Sequence, residues 1–267
     1  MNNENLESSL QSASPHPHPS CSQIVIPARL ASTRLPRKLM LRVAGKTILQ
    51  HTYEAAAQAR RPNGITVAVD CQELADEVTS FGGTVFLTDP NLPSGTDRVV
   101  AVAEQHEEVD IFVNVQGDEP EISGEAIDQV IELLEQNPNA SIATLATPIR
   151  DESRLHDPGC VKVVCGTDGK ALYFSRSPIP FVREWNPKLL EQTPAVFLQH
   201  LGIYAYRREF LMELQSLSES PLEQLERLEQ LRFLQAGASI QVGQTDHAAK
   251  GIDTRDDYEA FSTRRAA

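Results

Sequence analysis

The sequence predicts an α/β fold: a parallel-type mixed sheet of the nucleotide-binding kind, flanked by helices, with a smaller α+β lobe drawn from about residues 150–210. Three observations predict it. Short β-branched apolar runs alternate with helical spacing as far as Leu134, which is the pattern of strands and crossover helices. The first run, Ile24-Val25-Ile26, leads directly into a cationic loop, as a ligand loop at the carboxyl end of a parallel strand would. Beyond residue 150 the alternation gives way to hairpin-like segments.

Taken in order, Ile24-Val25-Ile26 is too short for a helix and suits a buried parallel strand. Ile48, Leu49, Thr52, Tyr53 and Ala56 follow helical spacing, and residues 65–69 form a strand ending at Asp70. Leu74, Val78 and Phe81 mark a second helix, Gly82-Gly83 stops it, and residues 84–87 return as a strand. Right-handed crossovers make these strands parallel. Residues 90–96 form a turn-rich loop in which Ser94 caps a helix ahead of Asp97. Residues 110–115 form another buried strand, so Gln116-Gly117-Asp118-Glu119-Pro120 falls at the ligand edge of the sheet. A helix carrying Ile127, Val130, Ile131 and Leu134 ends near Pro138, and residues 140–149 give a strand. Residues 160–165 and 170–174 read as a hairpin turned on Gly166-Thr167-Asp168-Gly169. One amphipathic helix over residues 221–236 directs Leu225, Leu228, Leu231, Phe233 and Leu234 largely inward, and residues 239–242 form a late strand. Thr254 with Asp257 has capping-box spacing, and Asp253 just before it could support that cap.

The 267 residues fit one domain over residues 23–265, preceded by a polar tail of residues 1–22 that reads as disordered. His16 and His18 in that tail could meet a metal, although solvation is the simpler reading. Residues 1–23 have no Lys or Arg and no apolar stretch, which argues against a signal peptide, and no run of eighteen apolar residues offers a membrane span. The four cysteines form no C-x-x-C pair and suggest reduced thiols in the cytoplasm. A net charge of -13 disfavours nucleic acid as a partner.

Against that acidic background, no acidic residue occurs between Ile24 and Tyr53, whereas Arg29, Arg34, Arg37, Lys38, Arg42 and Lys46 all do. A local excess of cations after a strand suits a phosphate-bearing ligand. Gly45-Lys46-Thr47 is not a P-loop, because Met40 stands where its first glycine belongs, and no G-x-G-x-x-G follows the first strand. Side chains must therefore supply the positive charge. Asp118 or Glu119 could bind Mg²⁺, which takes one or two carboxylates together with phosphates and water; spacing alone does not choose between them. Arg176, after Tyr173-Phe174, could clamp a carboxylate, and His200 could orient a substrate hydroxyl or simply be hydrogen-bonded in the core.

Pro27-Ala28-Arg29 with Ser32-Thr33-Arg34-Leu35-Pro36 and Lys38 resembles the signature of nucleotidyltransferases that activate acidic sugars with CTP. Residues 114–120, 171–176, 200–204 and 228–232 narrow the resemblance to the 3-deoxy-manno-octulosonate (Kdo) cytidylyltransferase family, over about residues 24–261. The sequence departs from that family at Arg37 and Leu39, where Gly and Pro are typical; a left-handed backbone there would cost Arg37 roughly 1–2 kcal/mol.

The resemblance implies transfer of CMP from CTP to Kdo for lipopolysaccharide biosynthesis, by a cytoplasmic homodimer whose smaller lobe binds sugar and forms the dimer surface. It assigns catalysis to Arg29, Arg34 and Lys38, and nucleotide binding to these with Pro27, Ala28, Ser94, Gly95 and Thr96. It assigns the sugar to Gln116, Arg176, His200, Tyr204, Glu229 and Gln230, and Mg²⁺ to Asp118 and Asp253. A cytidylyltransferase for sialic acid or amino-Kdo is the nearest rival, and a noncatalytic nucleotide-binding module is the rival of a different class.

Overall fold

The computed structural model describes residues 20–246 and 248–266; residues 1–19, with most of the expected tail and both His16 and His18, lie outside them. β1 (Ser22–Ala28) carries the buried run Ile24-Val25-Ile26 but starts two positions earlier, at Ser22. The Cys21 and Ser22 amides are held by the side chains of Asp110 and Asn63, each at 3.0 Å, which pairs this end of the strand with its neighbours.

A small hairpin of β2 (Arg42–Val43) and β3 (Lys46–Thr47) turns on Ala44 and Gly45, whose φ values are 49° and 84°. Thr47 then caps α1 (Ile48–Ala56) by accepting from the Gln50 amide at 3.1 Å, so Gly45-Lys46-Thr47 is turn and cap. β4 (Gly64–Val69), α2 (Gln72–Ser80) and β5 (Thr84–Leu87) come next as two crossover units. α3 (Gly95–Ala103) begins with a capping box between Ser94 and Asp97. The chain continues through β6 (Ile111–Asn114), α4 (Gly124–Gln136), β7 (Ile142–Pro148) and α5 (Glu152–His156). The hairpin expected near residues 160–174 is β8 (Lys162–Cys165) and β9 (Ala171–Ser175), succeeded by the long β10 (Leu198–Arg207) and α6 (Arg208–Leu214). The last elements are α7 (Pro221–Glu226), α8 (Gln230–Gln235), β11 (Ile240–Gln244) and α9 (Arg255–Ala266).

The sheet runs β11-β7-β10-β6-β1-β4-β5, with β8 on β10 and β9 on β8. β1 is parallel to β4 and β6, whereas β10 lies antiparallel to both β6 and β7, so the sheet is mixed as the sequence predicts. Alternate residues of β1 serve opposite cores. Ile24 and Ile26 pack with Leu49, Leu74 and Ile127 beneath α1, α2 and α4, while Val25 packs with Val99, Phe112 and Leu211 beneath α3 and α6.

The single helix expected over residues 221–236 is instead two. Arg227, at φ 53° and ψ 48°, ends α7 in a left-handed conformation, which turns α8 out of phase with it. Leu228, Leu231 and Phe233 are buried as expected, but Leu225 is 82% exposed.

Candidate active site

β1 ends in Pro27 and Ala28, and the loop beyond is fixed where the Leu30 amide donates to both carboxylate oxygens of Asp70, at 3.1 and 3.2 Å. Asp70 directly succeeds β4, so two parallel strands position the loop. Further on, Arg37 adopts φ 54° and ψ 33° and precedes a 3-10 turn, Lys38–Met40. That left-handed backbone costs a non-glycine residue roughly 1–2 kcal/mol. Arg37 pairs with Glu73, and Arg42 Nη2 pairs with Glu77 Oε2 at 2.8 Å, so one face of α2 holds this departure from the family pattern in place.

The acidic side of the site is built on α1 and the sheet edge. Thr52 Oγ1 donates to the Gly117 carbonyl at 2.9 Å, and a Cβ at Gly117 would stand 3.1 Å from the Pro27 carbonyl, so glycine lets this turn lie against the end of β1. The Ile252 amide donates to the Asp118 carbonyl at 2.9 Å, which brings Asp253 alongside Asp118. Lys38 Nζ donates to the carboxylates of Asp118 and Asp253, and Arg34 Nη2 meets Asp253 Oδ1 at 2.9 Å. Burial opposes the Lys38 charge, but the two carboxylates outweigh it and raise the pKa.

Asp253 serves both readings with different atoms: its amide supports the cap by donating to Asp257 Oδ2 at 3.3 Å, while its carboxylate lies elsewhere. The capping box belongs to Thr254 and Asp257: Asp257 Oδ2 accepts from the Thr254 amide at 3.0 Å and from its hydroxyl at 2.7 Å. Burial would raise the Asp257 pKa, yet hydrogen bonds from Lys250 and Thr254 hold it down at about 2. The Asp253 carboxylate faces Lys38 and Arg34 instead.

Two carboxylates from distant parts of the chain thus converge on one cation, a donor set suited to Mg²⁺ with phosphate oxygens and water completing its shell. Among the described residues, no group of three or more His, Cys, Asp or Glu forms a fuller cage. Glu119 lines a neighbouring cleft, and its pKa is pushed up to about 8, by burial first and then by Asp118 and Asp253.

A cleft of about 430 Å³ is lined by Pro27, Ala28, Arg29, Arg34, Lys38, Ser94, Gly95, Gln116, Asp118 and Asp253, all expected from the sequence. Thr96 is not on its wall; it is buried and donates to Glu229 Oε2 at 2.5 Å. The residues expected to hold the sugar are more scattered. His200 lines the second cleft, of about 520 Å³, with its Nε2 3.0 Å from Thr144 Oγ1 and its ring edge-on to Phe174. Burial holds its pKa at about 3. Tyr204 packs on His200, Glu229 also pairs with Arg232 at 3.1 Å, and Gln230 is buried; none of these three lines either cleft. Arg176 donates to the carbonyls of Pro158, Glu226 and Arg227 and lines neither cleft.

Sequence reasoning missed Arg98, which is 3% exposed and lines the first cleft. Its signal was positional: three residues after Gly95, it shares the helix face that looks toward that loop.

Residues 23–240 match the family described as cytidylyltransferase. A 3-deoxy-manno-octulosonate cytidylyltransferase of Rhodopirellula baltica is 50% identical over 242 residues, covering 90% of this chain and 97% of its own. One from Geobacter sulfurreducens is 44% identical, covering 88% and 95%. A solved CMP:2-keto-3-deoxy-manno-octonic acid synthetase complexed with CTP superposes with a TM-score of 0.86 at 40% identity, over 92% of this chain and 99% of that one. With the paired carboxylates and cationic loop in place, these likenesses show that the chain belongs to the cytidylyltransferases and, among them, to the 3-deoxy-manno-octulosonate cytidylyltransferase family.

Proposed function

We propose that this chain transfers CMP from CTP to 3-deoxy-D-manno-octulosonate (Kdo) and releases pyrophosphate. The observation that carries this reading is the meeting of Asp118 and Asp253 around Lys38, beside Arg29 and Arg34, in one cleft at the end of β1. The names of its relatives point to the same reaction.

In that reaction the sugar's anomeric oxygen bonds to the α-phosphorus as the bond to the oxygen bridging the β-phosphate breaks. Catalysis of this kind rests on positioning and charge, with no covalent intermediate required. Arg29, Arg34 and Lys38 hold the triphosphate and offset the charge that grows on the leaving pyrophosphate. Mg²⁺, held by Asp118 and Asp253, would add charge neutralisation across the phosphate oxygens. Gln116 meets the sugar from the cleft wall and His200 faces it from the neighbouring cleft, while Tyr204, Glu229 and Gln230 stand behind these walls and support them. For Arg176 to take the sugar carboxylate as a fork, its guanidinium must exchange carbonyl partners for the ligand.

The working unit we propose is a cytoplasmic homodimer that feeds lipopolysaccharide biosynthesis. Supporting the dimer, β9 has β8 as its one paired strand among the described residues, with Lys170 just before it bridging to Gln241, and the same part of the chain exposes Leu172 and Phe181, at 64% and 87%. Light scattering at the mass of one chain would refute it. The function is tested by pyrophosphate release from CTP with Kdo, amino-Kdo and sialic acid in parallel. Release with Kdo at the highest kcat/KM is expected. Preference for another acidic sugar would reassign the substrate, and CTP binding without release from any of them would make the chain a noncatalytic module.

A further inference from the structure

Lys162, at the start of β8, is 0% exposed, and no carboxylate pairs with it among the described residues. Its ammonium instead spends its three donors on backbone carbonyls: Asp157 at 3.0 Å, Cys160 at 2.6 Å and Arg176 at 2.5 Å. Methionine would fill much the same space with no charge to desolvate, so the ammonium is there for those three bonds. It does not meet a ligand itself, since it lines neither cleft.

The three carbonyls have Arg176 in common. Arg176 Nη1 rests on the Pro158 carbonyl at 2.9 Å, and Asp157 and Cys160 belong to the same tight turn, closed by the Cys160 amide on the Asp157 carbonyl at 3.0 Å. The third carbonyl is that of Arg176. One buried cation therefore fixes both the backbone from which the Arg176 side chain springs and the turn on which its guanidinium rests. Glu226 completes the frame, accepting from the Arg176 amide at 2.9 Å and the Ser175 hydroxyl at 2.6 Å. Lys162 lies opposite Ser175 in the β8–β9 ladder, and the Val161 carbonyl just before it accepts from the His200 amide at 2.8 Å. The tether thus sits between the strand that ends at Arg176 and the strand that carries His200.

We propose that Lys162 is a positioning residue for the acidic sugar, acting through Arg176: it holds the guanidinium against the 157–160 turn in the one placement from which its fork can swing onto the sugar carboxylate. This rests on the reading of the chain as an acidic-sugar cytidylyltransferase with Arg176 as the carboxylate clamp. The three N–H groups of an ammonium diverge as a tripod, which a planar guanidinium cannot copy and an apolar side chain cannot replace. Without the tripod, the turn and the arginine shift independently. A displacement of about 1 Å in a substrate-positioning group can cost roughly a hundredfold in rate.

The test is steady-state kinetics with CTP and either Kdo or its C1 amide, for the native chain, Lys162→Met, Lys162→Arg, Arg176→Met and the Lys162→Met/Arg176→Met double variant. Lys162→Met should raise KM for Kdo roughly tenfold or more and leave KM for CTP within about twofold. It should also narrow the native preference for Kdo over the amide, and Lys162→Arg should do the same to a smaller extent. The double variant should be no worse with Kdo than Arg176→Met alone, because Lys162 acts through that arginine. Equal rises in both KM values, losses that add in the double variant, or an unchanged preference over the amide would each overturn the proposal. If only one Lys162 variant folds, these comparisons are made on that one, with its own Arg176→Met partner; loss of folded protein in both would make Lys162 a scaffold and overturn the proposal as well. Native protein that turns over no acidic sugar would refute the reaction and this role together, whereas native turnover with additive losses would refute the role of Lys162 alone.

Discussion

Asp118→Asn and Asp253→Asn each keep the size of the side chain and remove one charge from the Lys38 cluster. The Lys38 and Asp118 side chains are 18% and 21% exposed, an intermediate medium in which opposite unit charges about 4 Å apart attract by about 4 kcal/mol before desolvation is subtracted. Asp253, at 41% exposed, is screened more strongly. Each asparagine still accepts a hydrogen bond from Lys38, so the fold should survive with a loss of about 1 kcal/mol, or about 2–4 °C in Tm. Turnover should suffer far more. Losing one charged stabiliser of phosphoryl transfer is expected to cost roughly a hundredfold in kcat, about 2.7 kcal/mol of barrier. The double variant should turn over little more slowly than either single one, since residues holding one ion act together, but should melt lower because Lys38 is left without a carboxylate. Pyrophosphate release titrated with Mg²⁺ and a parallel thermal melt give both readouts. Near-native turnover with unchanged Mg²⁺ dependence in either single variant would refute the shared-ion reasoning.

Thr52→Val leaves the Gly117 carbonyl without its buried donor, so denaturant unfolding should show a loss of about 1–3 kcal/mol; an unchanged midpoint would mean that another donor replaces the hydroxyl. Arg37→Gly removes left-handed strain and an exposed ion pair of smaller worth, so Tm should rise slightly; a fall would show that the Glu73 contact dominates. His200 is held neutral, with a pKa of about 3, whereas an unfolded histidine titrates near pH ~6.5. The unfolded chain therefore takes up a proton that the folded chain refuses, and stability should be lost as pH falls from about 6.5 toward 3, by at most a few kcal/mol. His200→Gln should flatten that part of the stability profile, and an unaltered profile would show that another group sets it.

The nucleotide half of the molecule was legible in the sequence because its signals are local. Ile24-Val25-Ile26 and the acid-free stretch after it identify a strand and its loop, and Ser94 with Asp97 is the cap observed. The resemblance paired Asp118 with Asp253, whereas Thr254 and Asp257 made capping an equal explanation; only the folded chain shows which carboxylate turns toward Lys38. The later half was read less well for identifiable reasons. Arg227 is left-handed without being Gly or Asn, so nothing in residues 221–236 announced a break, and the periodic leucines implied one helix. Arg98 stands just before the apolar pair Val99-Val100 and carries no local sign of burial, because its packing against Thr88 and Asp89 depends on a loop ten residues earlier. The β2–β3 hairpin escaped because Ala44 joins Gly45 in the left-handed region.

The amide of Ile252 reaches back to the carbonyl of Asp118, and α9 beyond it seats Phe261 edge-on to His51 and Tyr258 Oη on the Arg42 carbonyl at 2.7 Å. Every strand of the sheet precedes that segment in the chain. As the polypeptide leaves the ribosome, Lys38 and Asp118 are therefore available to each other well before Asp253 emerges, and the cleft gains its last wall only when the closing helix docks. Competence for the reaction is tied in this way to synthesis of the residues from Ile252 onward: a product cut short before Ile252 retains the described strands while lacking a charge the cleft is built around.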